Sequence, residues 1–289
     1  MNFVIRLLAV LTPLALAMPA TAEELKIATW NMNWLTSRPA GDRALPANVR
    51  PKPEDGLALL RRYAEILDAD VVALQEVDGA AMAARVFPSE RYSIHITRDS
   101  VVQRVAFAIR RGLAYRAQPD LADLTGPAGN QSRLRSGADI SLDLPAGELR
   151  ILNVHLKSGC KQEKLTGYVN STCEKLRGQI APLQGWIAAR RDARTAFLLI
   201  GDFNRWMDHG DGFWASLENI TPLSRATAGK SSPCWGGGGF IDHIIAGGAA
   251  RSWLQADSLR VLTYRETGDG WKDTLSDHCP VSARILPRP

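Results

Sequence analysis

The chain has 289 residues, 45% hydrophobic and 22% charged, with 24 Gly, 16 Pro and a formal net charge of +5. Those proportions exclude a disordered, collagenous or coiled-coil chain and describe a globular, mildly basic protein. Beyond residue 22 no run approaches the roughly 18 uninterrupted apolar residues that a membrane span needs.

Residues 1–22 carry one basic residue, Arg6, then an apolar run from Leu7 to Met18 broken only by Thr12 and Pro13, then Pro19-Ala20-Thr21-Ala22. That is the layout of a signal for export, cleaved after Ala22. A buried N-terminal helix is the alternative, and Pro13 and the small-residue exit speak against it. Residues 23–289 then form one domain in a periplasmic or extracellular protein, because no linker, repeat or low-complexity break interrupts them.

Strand-like and helix-like segments alternate from there on. Leu25–Trp30 is a predicted strand, and a helix follows over Leu57–Leu67 with Leu59, Leu60, Tyr63, Ile66 and Leu67 at helical spacing. Further strands are predicted at Val71–Leu74, Val105–Ile109, Ala138–Leu142, Leu149–Leu156, Ala196–Ile200, Phe240–Ile245 and Val281–Ile285. A long helix is predicted over Thr172–Arg190, its stripe of Leu176, Ile180, Leu183, Trp186 and Ile187 packing into a core. Residues 36–56, 118–136 and 222–238 are surface loops. Long apolar strands imply sheets covered by helices, hence a layered α/β sandwich.

Four cysteines, Cys160, Cys173, Cys234 and Cys279, suit an oxidising compartment and two disulfides. Three pairings are possible; Cys160–Cys173 closes a short loop. No Cys-x-x-Cys pair supports a zinc site.

Polar residues gather at the strand ends: Asn31 and Asn33, Gln75 and Glu76, His155, Asp202 and Asn204, Asp242, and Asp277-His278. Any one of them is explained equally well as a turn residue or a helix cap. Six such places are hard to assign to turns, and in layered α/β proteins sites form where strand ends converge. Convergence would bring together four acids, Glu76, Asp202, Asp242 and Asp277. Two carboxylates about 4 Å apart repel by roughly 4 kcal/mol at an effective dielectric of ~20. Such a cluster calls for a cation, and oxygen donors favour Mg²⁺, Mn²⁺ or Ca²⁺. With two histidines for proton transfer, the set suits phosphoester hydrolysis.

The ordered series Trp30-Asn31-Met32-Asn33, Leu74-Gln75-Glu76, Asn153-Val154-His155-Leu156-Lys157, Gly201-Asp202-Phe203-Asn204, Ile241-Asp242-His243 and Ser276-Asp277-His278 resembles the endonuclease/exonuclease/phosphatase superfamily, in an exported, bacterial-type form. The resemblance spans Leu25 to Ile285. It implies a deoxyribonuclease-I-like, four-layer α/β sandwich: two packed mixed β-sheets flanked by helices. It also implies roles. Glu76 is the principal metal ligand, helped by Asn33 or Asp277. Asp202 orients or deprotonates the attacking water, and Asn31 and Asn204 hold phosphate oxygens or that water. His278 binds the scissile phosphate and acts as acid/base, with Asp242 fixing its ring. His155 matches a second histidine of the deoxyribonuclease and sphingomyelinase branches. Asn33 departs from the acid that AP endonucleases often carry there, and contributes no charge to a metal. His243, next to Asp242 on a strand, faces the other way and is structural. If Asp242 and His278 bond, Cys234 and Cys279 lie close enough to pair.

The remaining question is the ester. Basic groups border the motifs: Arg104 with Arg110-Arg111, Arg133 with Arg135, Lys157 with Lys161 and Lys164, and Lys175 with Arg177. They suit a polyanion, with Arg104, Lys157 and Asn31 as phosphate or substrate contacts, unless they are only a solvated face. Trp30, Trp34, Trp206, Trp235 and Trp271 lie near motifs and are available to stack on bases, although Trp30 suits a core. Gly236–Gly239 is a turn beside the site, not a phosphate-binding loop. The leading expectation is a monomeric, divalent-metal-dependent nuclease for DNA or RNA without stable membrane association. A sphingomyelinase-like or small-phosphoester phosphodiesterase or phosphatase is the alternative, and a binding protein on an inactive scaffold is a third.

Overall fold

A computed structural model describes residues 23–126, 134–268 and 270–288. The export signal and Arg133 lie outside the described residues.

The strands are β1 (Leu25–Leu35), β2 (Val71–Val77), β3 (Tyr92–Ile96), β4 (Arg104–Arg110), β5 (Tyr115–Ala117), β6 (Ala138–Leu144) and β7 (Gly147–His155). There follow β8 (Ala196–Asp202), β9 (Leu223–Arg225), β10 (Ser231–Ser232), β11 (Gly238–Gly239), β12 (Asp242–Gly247), β13 (Arg260–Val261) and β14 (Val281–Ile285). The helices are α1 (Glu54–Leu67), α2 (Ala80–Val86), α3 (Ser171–Gly178), α4 (Ile180–Asp192), α5 (Gly212–Glu218), α6 (Ala250–Trp253) and α7 (Trp271–Thr274).

Two six-stranded mixed sheets result, ordered β3-β4-β2-β1-β14-β13 and β5-β6-β7-β8-β12-β9. Each has one parallel pair near its centre, β1 with β2 and β7 with β8, and antiparallel pairing elsewhere. Their inner faces meet in a core that includes Ile27, Val71, Phe107, Ile140, Ile151, Leu198 and Ile244. The outer face of the first sheet is packed by α1 and α2 through Leu60, Leu67, Val72 and Leu74. The outer face of the second is packed by α4 and α5 through Leu183, Ile187, Leu199 and Phe213. The central strands are thus apolar on both faces, and the fold is the four-layer sandwich.

Both predicted helices depart from the sequence expectation, and the predicted loop over 222–238 contains β9 and β10. The helix predicted over Thr172–Arg190 is broken at Gln179 into α3 and α4. Pro182 has no N–H to offer the Gly178 carbonyl, and its ring crowds that position. The break has a use: buried Gln179 accepts from Lys157 N at 2.9 Å and donates to Leu124 O at 2.9 Å. In α1 the buried stripe is Leu57, Leu60, Tyr63, Ala64 and Leu67. Ile66 is exposed, off the face that packs.

Both predicted disulfides are present, Cys160–Cys173 and Cys234–Cys279, with Cα–Cα separations of 5.2 and 5.7 Å. The cluster of potential donors Cys160, Glu163 and Cys173 therefore has no free thiolate to offer a metal. Among the described residues no helix is long and apolar enough to cross a membrane.

Candidate active site

The parallel pairs deliver their side chains to one end of the sandwich. In the second sheet the register runs unbroken to its last residues: His155 of β7 stands beside Asp202 of β8, which stands beside Asp242 of β12. Gly201 makes this possible. Its φ is 136°, and a Cβ there would fall 2.0 Å from the Val154 carbonyl oxygen, so only glycine lets β7 and β8 stay paired to the end.

The first sheet reaches the same place irregularly. Asn31 pairs with Gln75, yet the next match is Leu35 with Val77, so β1 outruns β2 by two residues. The excess is absorbed by left-handed backbone at Asn33 and Trp34 (φ 43° and 56°), facing Glu76, which is itself at 60°. Non-glycine residues held there cost about 1–3 kcal/mol each and concentrate at functional sites.

Across the gap the sheets meet strand for strand. Asn31 Nδ2 donates to Asp202 Oδ2 at 3.0 Å and to Glu76 Oε1 at 3.2 Å. His155 Nε2 lies 3.7 Å from Glu76 Oε1 and 3.5 Å from Asp202 Oδ2. His278 Nδ1 bonds Asp242 Oδ2 at 2.8 Å, leaving Nε2 3.8 Å from Asp202. Asn204 fixes Asp202, its backbone N–H donating to Oδ1 at 2.8 Å and its amide to Oδ2 at 3.2 Å. Beneath them Gln75 Nε2 donates to Asn153 Oδ1 at 2.7 Å, and the Asn153 amide donates to Leu74 and Ala106 carbonyls. The floor of the site is thus pinned between the sheets.

These groups line a cavity of about 520 Å³ whose walls include Glu76, Asp202, Asn204, Asp277, His155 and His278, with Arg135, Lys157, Lys175 and Trp34. Burial sets much of its electrostatics. It pushes the Asp202 carboxyl up to about 7, with the Asp242 charge adding to it and His278 opposing. Burial lowers His155 well below the ordinary imidazole range, reinforced by the positive charges of Arg135, His278 and Lys157. Burial acts downward on His278 too, but the carboxylates of Asp242, Asp202 and Asp277 outweigh it and hold that ring well above its usual value. The site therefore pairs a neutral histidine with a protonated one.

Other expected residues fall elsewhere. Asn33 turns its amide nitrogen to the Lys272 carbonyl of α7 at 2.9 Å and does not line this cavity. Arg104 does not line the cavity, because its place opposite Val77 on β4 folds its guanidinium back onto the Asp78 carbonyl. Arg110 sits at the far end of β4, ion-paired to Asp68 and Asp70. Arg177 is paired with Glu174, and Lys161 and Lys164 line a neighbouring cavity with Trp206. Trp30 is core, its Nε1 on the Tyr264 hydroxyl. His243 faces away from the site, held between Thr227 Oγ1 at 2.6 Å and the Arg205 carbonyl at 2.9 Å.

Three supporting residues have roles that the sequence did not assign, although Ser276 belongs to the Ser276-Asp277-His278 motif. Tyr264 donates to the His278 carbonyl at 2.8 Å, and Ser276 Oγ accepts from His278 N while donating to Asn31 O. Lys52, from the loop before α1, is buried with its ammonium on the Asp273 carbonyl. Burial lowers it to about 8 against the pull of Asp277, Glu76 and Asp273. A lone lysine between prolines, Pro51 and Pro53, has no motif to mark it.

The Endonuclease/Exonuclease/phosphatase family profile matches residues 28–278, spanning every one of these positions. The chain belongs to that family. No curated protein sequence matches it. Solved structures share the fold at low identity. A 3′ phosphatase, NExo, from Neisseria bound to a product DNA hairpin superposes with a TM-score of 0.60 at 16% identity, covering 90% of this chain and 99% of that one. Truncated TDP2 from Caenorhabditis elegans gives 0.59 at 14%, covering 91% and 98%. An AP endonuclease from Archaeoglobus fulgidus gives 0.58 at 14%, covering 90% and 98%.

The donor set can be judged for the divalent ion that this family's chemistry uses. Glu76 and Asp202 share one amide N–H₂ group, and Asp242 Oδ1 is buried without a hydrogen-bond partner. Carboxylates this crowded, one of them with a buried oxygen that no protein donor reaches, fit a hard cation. Glu76, Asp202 and Asp277 are the carboxylates that line the cavity, and Asn33 is not among its lining residues.

Proposed function

We propose that the protein is an exported, divalent-metal-dependent phosphodiesterase, acting as a nuclease on DNA or RNA by water attack. The observation that carries this reading is the joining of Glu76 to Asp202 through Asn31, within reach of the His278–Asp242 pair, in a cavity with cationic groups on its wall. A divalent ion held by Glu76 with Asp277 supplies positive charge for the phosphoryl oxygens.

The chain's own groups divide the rest. Asp202, fixed by Asn31 and Asn204, orients the attacking water and takes its proton. His278, held by Asp242, presents Nε2 to the scissile phosphate and gives a proton to the leaving oxygen. His155, neutral and buried, donates to a phosphate oxygen through Nε2. Arg135, Lys157 and Lys175 draw the polyanion in. The two disulfides support export, since such bonds persist in oxidising compartments.

The test is a substrate panel of plasmid DNA, RNA, sphingomyelin and bis-p-nitrophenyl phosphate against Mg²⁺, Mn²⁺ and Ca²⁺. Metal-dependent cleavage of nucleic acid is expected. Activity confined to the lipid would overturn the nuclease reading.

A further inference from the structure

The catalytic cavity is lined by cationic groups, Arg135, Lys157 and Lys175, by the carboxylates of Glu76, Asp202 and Asp277, and by one tryptophan, Trp34. Trp34 is the second of the two left-handed residues in the β1 excursion. Its backbone N–H donates to Glu76 Oε2 at 3.1 Å. That bond does not explain the indole, because any residue but proline supplies it, and glycine takes φ 56° without strain. What glycine lacks is the ring itself.

The ring is anchored on one side by a small cluster of Leu45, Val49 and Val102 that holds the 36–56 loop against the 100–103 turn. It is only half-buried, and lines the same cavity as Glu76, His155, Asp202 and His278. A strained backbone, a packed rear edge and a face left to the cavity describe a fixed platform.

We propose that Trp34 stacks on the base of the nucleotide next to the scissile phosphate, so that the cavity takes a phosphodiester carrying a planar base. The inference rests on the nucleic-acid reading of this site and names a subsite within it. A choline headgroup also lies well on an indole. Here it would share the cavity with Arg135, Lys157 and Lys175, and those charges favour the phosphate and repel a quaternary ammonium.

The experiment uses two fluorescein-labelled probes in EDTA, where cleavage is suppressed: an octathymidylate, and the same octamer with its four central bases replaced by abasic tetrahydrofuran residues. Binding by anisotropy is compared for the wild type, Trp34→Ala and Trp34→Phe. Wild type is expected to prefer the base-bearing probe. Trp34→Ala should weaken that probe about 5- to 150-fold, the range of one stacked base, and leave the abasic probe unchanged. Trp34→Phe should keep most of the preference, which a merely structural loss would not allow. Equal weakening on both probes, or equal wild-type affinity for them, overturns the platform while leaving the nuclease reading intact. Wild type that binds neither probe overturns both. Tighter wild-type binding to phosphocholine vesicles than to the octamer, lost in Trp34→Ala, overturns the nucleotide assignment in favour of a choline ester.

Discussion

The two sheets follow one plan and finish it differently. Strand for strand, β2, β1 and β14 of the first correspond to β7, β8 and β12 of the second, and each supplies one site group in or beside it. The groups meet in matching pairs: Glu76 with His155, Asn31 with Asp202, and His278 with Asp242. On the second sheet ordinary register sets the positions of His155, Asp202 and Asp242. On the first, a two-residue excursion and three left-handed residues set the position of Glu76. Regular pairing holds Asp202 between His155 and Asp242 at fixed spacing, whereas irregular backbone carries Glu76 and Trp34 to the cavity. In the proposed function the second sheet thus supplies the base, Asp202, and the first supplies the metal-holding Glu76 and the acid His278.

The largest test of that division compares Asp202→Asn with Glu76→Gln. Each should lower kcat by about 10²–10⁴-fold without lowering the melting temperature. Raising Mg²⁺ or Mn²⁺ should recover part of the Glu76→Gln loss and none of the Asp202→Asn loss. The same metal response in both would erase the distinction between the sheets.

Next in size is the covalent link between the sheets. Replacing Cys234 and Cys279 together by serine should cost about 4 kcal/mol in urea unfolding, from the loop that the 45-residue separation closes. A cost below about 1 kcal/mol would mean that the sheets are held at this end without it.

The irregular end of β1 should punish β-branching. Asn33→Val, placed at φ 43°, is expected to lose about 1–3 kcal/mol of stability by the same measurement. An unchanged midpoint would show the excursion to be soft.

The smallest effect lies behind the second sheet. Burial lowers His243 to about 3, so in the folded protein it stays neutral while the unfolded chain takes up a proton near 6.5. Between those values the unfolded state binds more protons, so stability is full above 6.5 and falls with acidification. A fall of about 1 kcal/mol between pH 6.5 and 5.5 is expected, and a flatter profile in His243→Gln. An equal slope in that variant would place the titrating group elsewhere.

Much of the second sheet's end was legible. Apolar runs that stop at an acid or a histidine mark Leu149–His155 and Phe197–Asp202, and His155 and Asp202 stand side by side at their ends. The first sheet's end was less so, because the sequence Asn33-Trp34 carries no glycine to announce left-handed backbone, and the resemblance that suggested Asn33 as a metal ligand says nothing of that excursion. Arg104 and Arg110 were grouped by proximity in sequence, although β4 carries them to opposite ends of a sheet. Lys52 and Tyr264 act through backbone carbonyls or long-range charge, which leave no local pattern, and Ser276, though inside the Ser276-Asp277-His278 motif, acts only through the backbone of His278 and Asn31. The edge strands β5, β9 and β13 are two or three residues long, too short for any periodicity to show.

The Cys234–Cys279 bond has one more consequence. Cys279 follows His278 directly, and Cys234 precedes β12, so Asp242 and His278 sit within a single covalent macrocycle whose seam crosses from sheet to sheet. Even when heat or denaturant pulls the layers apart, these two side chains cannot drift far from one another. The imidazole–carboxylate couple is then among the first contacts available to a recovering chain, and a thiol reductant would withdraw that head start without touching a single atom of the pocket.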